Sequence, residues 1–96
     1  MTEVETTKLV LFKGKQIRKT LHQGEWWFSV VDVIRVLTDS TDPRKYWNKL
    51  AQRLREEGSE VVTKCHQLKF MATDGKYYDS DAADTETMFR LIQSIP

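Results

Sequence analysis

The stretch DPRKYWNKLAQRLREEG, residues 42–58, commits this part of the chain to a helix. Asp42 is a good N-cap, and Pro43 suits the first helical position, where its missing N–H costs nothing. Gly58 stands where helices commonly leave through a left-handed residue. Between them Tyr46, Trp47, Leu50 and Leu54 recur at three- and four-residue steps, so they share one side of a 3.6-residue period. At about 100° per residue, the opposite side carries Arg44, Lys45, Asn48, Lys49, Gln52 and Arg55. An apolar stripe thus backs a face of cations and amides, the side-chain types that grip phosphates and read base edges.

Solvation alone explains the cations of many amphipathic helices, and charge pattern leaves the two readings level. Two features favour a binding face. No Glu alternates with the cations until Glu56 and Glu57, and Asn48 and Gln52 lie one turn apart among them. The wider charge distribution points the same way. From Lys8 to Arg55 eleven Lys and Arg oppose four acids, a balance of +7, whereas Glu56 onward carries −4 and Glu3 with Glu5 adds −2. The net +1 therefore hides a basic half that a polyanion would meet.

The 96 residues suit one small domain, residues 8–96, after a polar, frayed N-terminus over residues 1–7. A 40% hydrophobic content with three Trp supplies one core and argues against disorder. The lone Cys65 excludes an internal disulfide and makes a reduced, cytoplasmic setting the default. No apolar run approaches the roughly 18 residues of a membrane helix, and the N-terminus lacks the form of a signal peptide.

Leu9 to Phe12 reads as a strand, Lys13-Gly14-Lys15 as a tight turn and Ile17 to Leu21 as the returning strand. After the turn His22-Gln23-Gly24-Glu25, Trp26-Trp27-Phe28 makes a third strand. This N-terminal three-stranded meander places Lys13, Lys15, Arg18 and Lys19 on an acid-free first hairpin. Ser29 is expected to cap a buried helix of Val30, Val31, Val33, Ile34, Val36 and Leu37, with Asp32 in a capping-box position. Its short spacing from the basic helix predicts a helix-turn-helix-like pair.

Ser59 to His66 is expected as a short helix, with an irregular crossing as the alternative. Leu68 to Ala72 and Tyr77 to Ser80 read as a second β-hairpin around Thr73-Asp74-Gly75-Lys76. Asp84 or Thr85 caps a closing C-terminal helix with Met88, Phe89, Leu91, Ile92 and Ile95 on its apolar face. Pro96 directly after this helix predicts a domain boundary within a longer protein. The fold class is α+β.

Chemistry of the enzymatic kind finds little support. His22, His66 and Cys65 lack the spacing of a zinc site, and Cys65 has no third group to orient a base. The acids Asp74, Asp79, Asp81, Asp84 and Glu86 miss the spacing of a calcium loop, and the four Gly are isolated. No cofactor or metal is expected, and an enzyme is disfavoured. Trp47 and one of Trp26 and Trp27 belong in the core, while the other is the available stacking platform for a base.

The run WWFSVVDVIRVLTDSTDPRKYWNKLAQRLREEGSE resembles the N-terminal domain of the BRO family, found in prophage antirepressors and baculovirus BRO proteins. FKGKQIRKTLHQGEWWF and LKFMATDGKYYDSDAADTETMFRLIQSIP look like the flanks of the same domain, so the similarity covers Leu9 to Pro96. The resemblance implies a DNA-binding module of a mobile-element regulator, joined to a variable C-terminal region that is a candidate for homo-oligomer contacts. It also implies interference with a phage repressor, by protein contact or at operator DNA. Two functions therefore stand side by side: DNA binding, single- or double-stranded, and capture of a repressor protein. In the first, Arg44, Lys45, Lys49 and Arg55 hold phosphates, Asn48 and Gln52 touch base edges, and Lys13, Lys15, Arg18 and Lys19 grip the backbone alongside.

Overall fold

A computed structural model describes residues 8–12 and 14–96, with side chains from Gly14 onward. The expected α+β architecture is present. Strands β1 (Lys8–Phe12), β2 (Lys15–His22) and β3 (Glu25–Ser29) form the antiparallel meander. Helices α1 (Val30–Thr38) and α2 (Pro43–Glu56) follow, then β4 (His66–Met71), β5 (Tyr77–Ala83) and α3 (Thr85–Ser94). The second hairpin joins the first through β5, so one five-stranded sheet runs β1-β2-β3-β5-β4. That join is short, with Phe28 opposite Ala83 and Ser29 opposite Ala82.

Local chemistry explains the turns. The β2–β3 loop has two residues, Gln23 and Gly24, both at positive φ (54° and 80°). This is the backbone that matches the right-handed strand twist, and Gly supplies half of it without strain. Ser29 Oγ accepts from the Asp32 N–H at the start of α1, Asp42 Oδ1 from the Lys45 N–H, and Asp84 Oδ1 from the Thr87 N–H. Gly58, at φ 79°, lets the chain leave α2 while the Ser59 N–H donates to the Leu54 carbonyl.

The helices bury the main core. Val30, Val33, Ile34 and Val36 of α1 pack with Trp47, Leu50, Ala51 and Leu54 of α2, Met88 and Leu91 of α3, and Ile17 of β2. A second, smaller core of Trp27, Phe70 and Ala82, flanked by Leu68, lies against β3, β4 and β5. The sheet curls far enough for Arg18 of β2 to donate Nη1 to the Met71 carbonyl at the end of β4, 3.0 Å away.

Two expectations need correction. Residues 59–66 do not form an α-helix but one 3₁₀ turn, Val62–Lys64, ahead of a strand that begins at His66. The β-branched run Val61, Val62 and Thr63 resists a helix, and both valines are buried in the core by the tight turn. Asp32 does not complete a capping box either. Its carboxylate turns to Arg18, as described below.

Candidate nucleic-acid interface

Helix α2 presents the predicted face. Arg44, Lys45, Asn48, Lys49, Gln52 and Arg55 are all exposed, while Trp47, Leu50, Ala51 and Leu54 are buried beneath them. Trp47 is anchored by its Nε1, which donates to Asp81 Oδ2 at 2.7 Å, so the helix cannot roll freely about its axis. Among the described residues none of Arg44, Lys45, Lys49 and Arg55 makes an ion pair, and Asn48 has no side-chain hydrogen bond. Gln52 donates to Glu56 Oε2 at 3.3 Å.

The position of these cations along the helix is informative. Arg53 and Arg55 lie in the last turn, where a cation favours the helix dipole. Arg44 and Lys45 lie in the first turn, which carries no acidic side chain and where a cation costs about 0.3–1 kcal/mol. Asp42 at the N-cap complements the dipole there, and the two cations themselves gain nothing from it.

The four hairpin cations do not share one setting. Lys13 lies outside the described residues. Lys15 Nζ is 3.3 Å from Asp39 Oδ1 in the α1–α2 connection, with both side chains largely in solvent. Arg35 of α1 reaches the same region, donating Nη2 to the Gln16 carbonyl at 3.1 Å. These contacts bring the start of β2 up to the loop that leads into the first turn of α2. Lys19 sits farther along β2, with its ammonium 4.1 Å from the centre of the Trp26 ring.

Arg18 does not belong to the outward face. Its Nε donates to Asp32 Oδ2 at 2.8 Å and its Nη2 to Asp32 Oδ1 at 3.0 Å, with the remaining nitrogen on Met71. The guanidinium also lies 5.5 Å from the centre of the Phe70 ring. Three of its five N–H donors are engaged inside the fold, which holds the guanidinium against Asp32 and the end of β4 and away from the face of α2.

Sequence reasoning missed two residues that border the site. Arg35 was legible as the lone exposed side chain of a helix that is otherwise buried through Val36, three residues from Asp32. Arg53 shares an edge of α2 with Tyr46, Lys49 and Leu50, the i, i+3, i+4, i+7 signature of one seam. There Arg53 Nη2 donates to the Ser94 carbonyl at 2.9 Å. As expected, Trp47 and Trp27 are buried and Trp26 is partly exposed.

Other chemistry is sparse. Among the described residues no group of three or more His, Cys, Asp or Glu is placed to hold a metal ion, and no helix is long and apolar enough to cross a membrane. Burial, with the Asp81 and Asp84 carboxylates nearby, pushes the Cys65 thiol up to about 12. The chain matches no family model, no curated protein and no solved structure.

Proposed function

We propose that this domain binds DNA through the exposed face of α2, with the β1–β2 turn gripping the backbone beside it. The observation that carries the reading is the first turn of α2. Arg44 and Lys45 stand there without an ionic partner among the described residues and against the helix dipole. A role in folding does not account for them, whereas a bound phosphate does. The N-terminal half of the second helix is also the part that enters the major groove in helix-turn-helix proteins. Lys15, Arg35 and Lys19 supply further cations, and Arg18 drops out of the set.

The resemblance to BRO N-terminal domains supports the same reading and gives it a setting, a mobile-element regulator of the antirepressor kind acting in the cytoplasm. No catalytic step or cofactor is part of it. The test is a salt titration of binding to a fluorescent random duplex and to a single strand. With about five phosphates neutralised, log K falls against log salt with a slope of about −4 to −5 on duplex. A flat salt response overturns the reading.

A second reading, capture of a phage repressor, draws on Leu21, 38% exposed in register with the half-buried Trp26. It predicts binding to the partner that persists at high salt, with little affinity for DNA.

A further inference from the structure

The curl of the sheet brings β2 and β4, which are not neighbours in it, into contact. At one end of that contact Arg18 donates to the Met71 carbonyl. At the other end His22, the last residue of β2, meets His66, the first residue of β4. Their ring centres are 5.8 Å apart and their planes are inclined by 42°. These are the chain's two histidines, far apart in the sequence and carried by different hairpins. The buried Trp27 backs the pair, its ring at 83° to both imidazoles and its centre 5.7 Å from that of His22 and 4.9 Å from that of His66. His22 is half-buried and His66 exposed, so solutes reach them.

Contact with Trp27 calls only for a flat ring, whereas an imidazole also carries nitrogens that ligate metals. Among the described residues neither histidine side chain makes a hydrogen bond or an ion pair that would occupy those nitrogens. We infer that His22 and His66 together ligate a divalent transition-metal ion of the zinc, nickel or copper class, for all of which imidazole is a suitable ligand. An ion held at about 2.0–2.1 Å by one nitrogen of each ring sets the ring centres about 5–6 Å apart, depending on the angle at the metal. The observed separation lies in that range, and rotation within the two side chains aims the nitrogens without moving the strands. Among the described residues no third His, Cys, Asp or Glu joins the pair, so water completes the coordination. Cys65, next to His66 in the sequence, packs against the main core with the helices. Bound there, the ion pins this end of the β2–β4 contact as Arg18 pins the other. It stabilises the fold, because the unfolded chain does not hold the two histidines together. The site is independent of the face of α2.

The experiment titrates Zn²⁺ into the chain after chelator treatment and dialysis, following the two histidine Hε1 signals by proton NMR and unfolding by tryptophan fluorescence. One equivalent of Zn²⁺ moves both signals together, and saturating Zn²⁺ raises the melting temperature by several degrees. His22→Phe and His66→Phe keep a ring against Trp27 and remove the ligating nitrogens. Each variant melts within a few degrees of the metal-free parent and binds Zn²⁺ more than about tenfold more weakly, the least that loss even of a supporting contact costs a metal site. His22→Gln and His66→Gln, which add no bulk at the strand ends, give the same loss. A shift of one histidine signal alone, no rise in melting temperature, or parent-like Zn²⁺ affinity in the Phe and Gln variants at either position overturns the site.

Discussion

Arg18 holds Asp32 with a two-pronged ion pair, 2.8 Å from Nε to Oδ2 and 3.0 Å from Nη2 to Oδ1. The Arg18 backbone N–H adds a third bond to the same carboxylate at 2.9 Å. Since Arg18 also donates to Met71, one side chain ties β2 to the first turn of α1 and to the end of β4. The Asp32 side chain is 8% exposed and that of Arg18 25%, so this pair is screened far less than those on the surface. It closes the curl of the sheet and fixes where α1, and hence α2, leaves it.

Removing one partner strands the other. Asp32→Ala leaves the Arg18 guanidinium with the Met71 carbonyl alone and the Arg18 backbone N–H without its carboxylate acceptor, and destabilises the domain by about 3 kcal/mol, read as a lower urea midpoint by tryptophan fluorescence. Arg18→Ala costs a similar amount, and the double variant costs less than the sum of the two. Additive costs would show that the pair is incidental. A loss of DNA affinity in Arg18→Ala that exceeds its loss of folded protein would return Arg18 to the binding face.

The binding face is tested most directly by charge. Lys45 and Lys49 are exposed and unpaired among the described residues, so Lys45→Glu with Lys49→Glu leaves the core intact. The melting temperature stays within a few degrees of the parent domain, because surface substitutions usually cost no more than about 0.5 kcal/mol. Duplex binding at physiological salt falls below detection in a gel shift. Retained binding by the double variant removes α2 as the contact element.

The sites legible in the sequence are those that depend on one element alone. The spacing of Tyr46, Trp47, Leu50 and Leu54 foretold which side of α2 faces water, because helical period and apolar pattern decide that locally. The same pattern says nothing about a partner fourteen positions away. Arg18 reads as one more hairpin cation until Asp32 is brought beside it. Lys19 falls to Trp26 for the same reason, since the register of β2 on β3 sets them diagonally. Ser59 to His66 differs: its sequence carries no clear period, and a single 3₁₀ turn buries Val61 and Val62 as well as a helix would.

Asp39 restrains the interface at its other end. It caps α1 in a left-handed conformation, φ 54°, and holds the exposed ammonium of Lys15. Asn tolerates that backbone nearly as well as Asp, so Asp39→Asn keeps the turn while releasing Lys15. An exposed pair contributes about 0–1 kcal/mol, so stability barely changes. Affinity for duplex rises several-fold, and the salt slope steepens by about 0.9, the increment of one additional neutralised phosphate. An unchanged slope would place Lys15 outside the contact.

Cys65 tests the packing of the crossing between α2 and β4. Its Sγ donates to the Val61 carbonyl at 3.7 Å, and burial is the first cause that lifts the thiol to about 12, ahead of the Asp81 and Asp84 charges; Arg55 pulls weakly the other way. An unfolded chain releases this proton near the ordinary value of 9.0. Between about pH 9 and about 12 the unfolded state therefore binds fewer protons than the folded one, and stability falls as pH rises through that window. Below it the thiol is neutral in both states and contributes no slope. Cys65→Ala lacks this component, so the stability of the parent domain declines more steeply than that of the variant in alkaline urea titrations. At pH 8 the thiolate fraction is lower in the folded state, and a disulfide reagent labels the native domain more slowly than the unfolded chain. Native labelling at the rate of the unfolded chain would mean that the 3₁₀ turn opens freely and that Val61 and Val62 do not seal the core there.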